Sequence, residues 1–98
     1  MNLDALIPLD LHSTEHGITL RQLAVLTLLE HGPVPPRDIA SRLQVTSSAV
    51  TGQLDALSAR GYVARQAHES DRRSTLAVIT PQGLKLLRSA EKKIKEAA

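Results

Sequence analysis

The side chains with the most evident chemistry fall in two groups. Arg72 and Arg73 stand side by side behind Asp71 in the stretch ESDRRS, and Thr46, Ser47, Ser48 and Thr51 form a cluster of small hydroxyls earlier in the chain. Guanidinium groups bind phosphate oxygens through several charge-assisted hydrogen bonds at once. Hydroxyls donate to the same oxygens or to the edges of bases. Gln53, Arg60 and Arg65 add further donors. These residue types suit recognition of a polyanion better than covalent chemistry.

Covalent chemistry finds little support elsewhere. No sequence pattern sets a histidine base against a serine or threonine nucleophile, and Gly32 lacks the surroundings of a phosphate-binding loop. The chain has no cysteine, which removes disulfides, thiol redox sensing and cysteine metal sites. His12 and His16 are four apart beside Glu15, but Gly17 ends that segment at once. An enzyme is not expected, nor a metal or a cofactor.

Net charge is only +2, but its distribution is uneven: residues 1–59 hold three basic and six acidic side chains, residues 60–98 nine and four. That asymmetry again favours a polyanionic partner. No apolar run approaches the ~20 residues that span a bilayer. The opening MNLDALIPLDLHS lacks a basic start and a cleavage signal. A cytoplasmic protein without membrane contact is expected.

The elements that must position these residues follow from periodicity and punctuation. In the 98-residue chain, TLRQLAVLTLLEHG reads as a helix, with Thr19 as N-cap and Gln22 at capping-box spacing. Gly32 and Pro33 end it. PRDIASRL, residues 36–43, is a second short helix opened by Pro36. A third runs over 47–59, with Thr46 as N-cap and Gly61 as terminator. Val50, Leu54 and Leu57 form its buried side, and Gln53 lies near that side. The period then changes to that of strands in YVARQA and STLAVI, joined by HESDRR as a hairpin with a charged tip. Thr80 and Pro81 open a last helix reaching about Glu96.

This order is α+β. The second and third helices are separated by three or four residues, the spacing of a helix-turn-helix, and the hairpin would be its wing. Helix 47–59 is then placed to enter a DNA major groove with Thr46, Ser47, Ser48, Thr51 and, less directly, Gln53. Its amino-terminal amides favour a nearby phosphate. Arg72 and Arg73 at the wing tip, 68–73, would meet a minor groove or the flanking backbone. Asp71 would orient an arginine or tie the tip to the body, and Arg60 and Arg65 would add backbone contacts. Residues 1–17 form a short segment suited to dimer contact, 18–83 the winged domain, and 84–98 the end of the last helix, a second candidate for dimer contact.

At this point the stretch SSAVTGQLDALSARGYVARQAHESDRRSTLAVITPQG resembles the MarR family of bacterial winged-helix regulators. The helix ending at Gly61, the YV that follows, DRRS and ITPQG match in type and order, and GITLRQLAVLTLLEHGPVPPRDIASRL matches more loosely. The resemblance covers roughly residues 17–88. It implies a homodimer reading a near-palindromic site in double-stranded DNA, usually as a repressor. Ser47, Ser48 and Thr51 would face the major groove, and Arg72 and Arg73 would serve the wing.

The chain also departs from that pattern. Family members usually run longer, with terminal helices that intertwine into a dimer; here Pro8 interrupts a short first segment and the sequence stops at Ala98. A minimal dimer through residues 3–11 and the last helix is expected, or a weakly associating monomer. The family's small-molecule pocket between dimer helices and winged domain is not expected here. Gly52 stands where many relatives place a larger, often basic residue, a departure expected to weaken the side-chain contact with the groove and to change specificity. The fold alone does not decide function. A winged helix could instead serve protein contact, as an antagonist pairing with a longer regulator, or bind DNA in replication or segregation.

Overall fold

The computed structural model describes residues 18–67 and 75–97. They form α1 (Leu20–Leu29), α2 (Pro36–Leu43), α3 (Ser47–Ala59), β1 (Val63–Ala67), β2 (Thr75–Ile79) and α4 (Pro81–Ala97). The wing tip and the first seventeen residues therefore lie outside the described residues.

α1 begins with a complete capping box. The Thr19 hydroxyl accepts from the Gln22 amide at 3.1 Å, and the Gln22 side chain accepts from the Thr19 amide at 3.1 Å. Two amides that helix geometry leaves without partners are thereby satisfied. Leu23, Ala24, Val25, Leu26 and Leu29 are all buried, so α1 is the central helix, as its nearly all-round apolar surface implies. The other helices and β2 pack around it. Buried Ile39, Val50, Leu54, Leu57, Val63, Ala77 and Leu87 complete one aliphatic core. Among the described residues no polar or charged side chain is buried.

The turn between α2 and α3 depends on an unexpected residue. Gln44 adopts left-handed angles, φ 56° and ψ 46°, which a residue with a Cβ adopts at a cost. In return the Gln44 amide reaches the Ser41 carbonyl at 3.3 Å and the Val45 amide reaches the Ala40 carbonyl at 3.0 Å. These bonds close α2 and leave three residues before α3 starts. The end of α3 uses the same device with the residue that suits it: Gly61 has φ 81°, its amide bonds Ser58, and Tyr62 bonds back to Leu57 at 3.0 Å.

β1 and β2 are antiparallel, with Arg65 opposite Ala77 and Val63 opposite Ile79. β2 has a second neighbour that the sequence did not announce. Val34 and Ala77 exchange two backbone hydrogen bonds, at 3.0 and 2.8 Å, which ties the α1–α2 connection to the base of the wing. α4 is fastened there too. The Thr80 hydroxyl donates to the Gly61 carbonyl at 2.7 Å and accepts from the Gly83 amide at 3.0 Å, and the Thr80 amide bonds Tyr62 at 3.1 Å. The contact is close enough that a Cβ on Gly83 would lie 2.2 Å from the Tyr62 carbonyl oxygen. Leu86, Leu87 and Ala90 form the buried side of α4, with Ile94 partly buried beyond them. Leu84 is half-buried beside them. Lys85, Arg88, Lys92, Lys93 and Lys95 face solvent as their spacing predicts.

Candidate nucleic-acid interface

The face of interest is the outer side of α3. Val50, Leu54 and Leu57 hold the helix against the core, and α2 packs on it. Thr46, Ser47, Ser48, Thr51, Gly52, Asp55 and Ala59 are consequently exposed. Ser48, Gly52 and Asp55 follow at i, i+4 and i+7, with Thr51 alongside, so they make one strip. Gln53 is half-buried at its margin.

The Thr46 hydroxyl accepts from the Ala49 amide at 3.1 Å, and the Thr46 carbonyl accepts from Val50 at 3.2 Å. Thr46 is thus first a cap, with its hydroxyl proton still able to donate outward. The amides of Ser47 and Ser48 occupy the first two helical positions, where no intrahelical carbonyl is available. They point along the helix axis with the positive end of its dipole. Two serine hydroxyls and two amides at an exposed helix start form a donor-rich end suited to phosphate or base-edge acceptors.

Arg65 is tied to this face. Its guanidinium donates to the Asp55 carboxylate at 2.6 Å. The reason is sheet geometry: Arg65 shares the face of buried Val63 and of its cross-strand partner Ala77, the face that lies on the helices. Its long side chain runs out past the core edge and meets α3 there. Both members remain substantially exposed, 38% for Arg65 and 61% for Asp55. The only acidic residue of α3 is therefore countered, and β1 is linked to the strip. Arg60 closes α3 and sets its guanidinium 5.3 Å from the centre of the Tyr62 ring. Arg72, Arg73 and Asp71 lie outside the described residues.

Thr46, Ser47, Ser48, Thr51 and Arg65 are thus gathered on or beside α3, and Arg60 sits at its far end. Asp55 is the member that sequence reasoning passed over. A pairing between residues ten apart on a helix and a strand has no local signature. On the other side of the domain Arg88 bonds Glu30, joining α4 to α1, with Glu91 3.5 Å away. The hydrogen bond from Arg88 holds the Glu30 carboxyl below its ordinary pKa, against a smaller opposing effect of burial. A hollow of about 330 Å³ lined by Leu28, Val34, Pro35, Asp38 and Arg42 lies between α1 and α2, away from the strip. Among the described residues no three histidine, aspartate or glutamate side chains cluster as a metal site. No described helix is long and apolar enough to cross a membrane. His12 and His16 lie outside the described residues.

A short helix and a donor-bearing helix joined by three residues, followed by a hairpin that packs against both, define a winged helix-turn-helix protein. The chain belongs to the MarR family, whose model matches residues 18–75. It is similar to the HTH-type transcriptional regulator MhqR of Bacillus subtilis (strain 168), 36% identical over 77 residues that cover 78% of this chain and 53% of that protein. It is also similar to the HTH-type transcriptional repressor MdtR of the same organism, 38% identical over 70 residues, 70% of this chain and 45% of that one. The chain spans about half the length of these curated relatives. Among solved structures, the transcriptional regulator BldR from Sulfolobus solfataricus superposes with a TM-score of 0.82 at 29% identity, over 89% of this chain and 62% of that one. The YusO protein from Bacillus subtilis gives 0.81 at 29% identity, over 97% and 63%.

Proposed function

We propose that this chain binds double-stranded DNA in a sequence-dependent manner and acts as a transcriptional repressor. The observation that carries the reading is the exposed strip of α3, with its serine hydroxyls and amino-terminal amides presented by the second helix of a helix-turn-helix. α3 enters the major groove, Ser47, Ser48 and Thr51 meet phosphates and base edges, and Thr46 sits at the point of entry. Arg65 and Arg60 contact the flanking backbone. Arg72 and Arg73 reach the adjacent minor groove, and Asp71 orients them. MarR-family regulators bind DNA and are generally dimeric; two copies joined through residues 3–11 and the carboxy-terminal part of α4 would present paired strips to a near-palindrome. The repressor role rests on the name of the relative MdtR.

Selection of bound fragments from random duplex DNA at about 0.1 M salt tests this, because salt sets the non-specific background. Enrichment of a palindrome with half-sites about one helical turn apart is the expected result. No enrichment over input would overturn the reading and direct attention to a protein partner, in line with a winged helix used for protein contact.

A further inference from the structure

The glycines of the described region are not alike. Gly32 and Gly61 have positive φ, 147° and 81°, where other residues are strained. Gly83 lies against the Tyr62 carbonyl, and a Cβ there would collide. Gly52 has neither reason. It lies inside α3 with ordinary helical angles, and a Cβ built on it meets nothing within 4 Å. Glycine is among the poorest helix formers, so the fold gains nothing from it here. Its place is the middle of the exposed strip, between Ser48 and Asp55 and next to Thr51.

We infer that Gly52 is a specificity-determining position: its missing side chain is the gap through which α3 approaches the bases closely. This rests on the DNA-binding function proposed above. A helix with its side chains is about 10–12 Å across, and the major groove is about 12 Å wide, so one bulky residue at the centre of the strip decides how deep the helix sits. The polar groups around Gly52 are short. Serine and threonine hydroxyls reach base edges only if the backbone comes close, whereas a long side chain at position 52 would hold it away. The neighbouring Asp55 is already paired with Arg65, which lowers the repulsion that close approach would otherwise meet. In this arrangement base discrimination depends on depth, and phosphate contacts from the arginines supply affinity that is indifferent to sequence.

The test compares the unmodified chain with Gly52→Leu and Gly52→Ala on the duplex recovered by selection and on a scrambled duplex of equal length and composition. Both variants are expected to fold, because the position is open, and to melt a few degrees higher, as stronger helix formers. Gly52→Leu should lose about 10-fold or more of the discrimination between the two duplexes, on the order of one mismatched base pair, while its affinity for the scrambled duplex stays within about 2-fold. Gly52→Ala should lie between. A Gly52→Leu variant that discriminates as the unmodified chain does would overturn the inference and leave the DNA-binding reading intact. An unmodified chain that does not discriminate at all would overturn both.

Discussion

The Asp55–Arg65 pair can be dissected by a double-mutant cycle read in DNA affinity and in salt dependence. At 2.6 Å and with both side chains well exposed, the pair stabilises the fold by about 1 kcal/mol at most, so neither Asp55→Asn nor Arg65→Ala should lower Tm by more than about 8 °C in a domain of this size. Binding is affected through charge and order. On the proposed interface Arg65→Ala removes one cation, so the slope of log K against log salt should become shallower by about 0.9 per bound subunit, or about 1.8 for a symmetric dimer. Asp55→Asn keeps that cation but frees it. Ordering an arginine on binding costs about 0.5–1.5 kcal/mol, so affinity should fall by about 2- to 12-fold per bound subunit with the slope unchanged. The double variant should bind no worse than Arg65→Ala alone. Fluorescence anisotropy titrations across a salt series measure all four corners. If Asp55→Asn binds as tightly as the unmodified chain, or more tightly, Asp55 does not position Arg65 and the pair is an ordinary surface contact.

Four further outcomes are expected. Gly83→Ala should destabilise the domain by about 1–3 kcal/mol in chemical denaturation, because the added methyl meets the Tyr62 carbonyl and α4 must shift to relieve it. Gln44→Gly should raise stability by about 1 kcal/mol, since the left-handed angles observed at this position suit glycine, and Tm should rise by about 4–8 °C. Thr46→Ala should cost about 1 kcal/mol through loss of the α3 cap, seen as a comparable fall in Tm. The Arg88–Glu30 contact depresses the Glu30 pKa in the folded state, so its contribution is present above the unfolded glutamate value of about 4.3 and is lost as pH falls through the lower folded value. A plot of Tm against pH should therefore fall less steeply in that acid range for Arg88→Gln than for the unmodified chain.

Helix limits were legible because their signals are local. Thr19 with Gln22, Pro36, Thr46 and Gly61 each act on backbone groups within a few residues, and α2 and α3 begin and end where those signals place them. The change to strand periodicity after Gly61 was equally local, and β1 and β2 fall within one residue of the expected runs. What was not legible comes from contacts between distant segments. The Val34–Ala77 bridge needs a backbone pairing that no alternation announces. The close approach of Gly83 to the Tyr62 carbonyl, between residues far apart in the chain, has no local signal. Gln44 takes a conformation that its residue type disfavours because the turn imposes it. In the candidate site, Ser47, Ser48 and Thr51 could be placed outside by elimination once Val50, Leu54 and Leu57 were placed inside. Arg65 could be flagged by charge, but its tie to Asp55 required knowing which sheet face it shares with Val63.

The aliphatic make-up of the core has an experimental consequence. With no tryptophan or phenylalanine and a single tyrosine, the protein's ultraviolet emission comes from one ring. Tyr62 sits where α3, the wing and the start of α4 are pinned together, half-buried and stacked near Arg60. The chain therefore carries a single built-in optical probe at the joint between α3 and the wing. Movement of one against the other on addition of duplex DNA is expected to change that signal, without a label and without a second emitter in the chain to subtract.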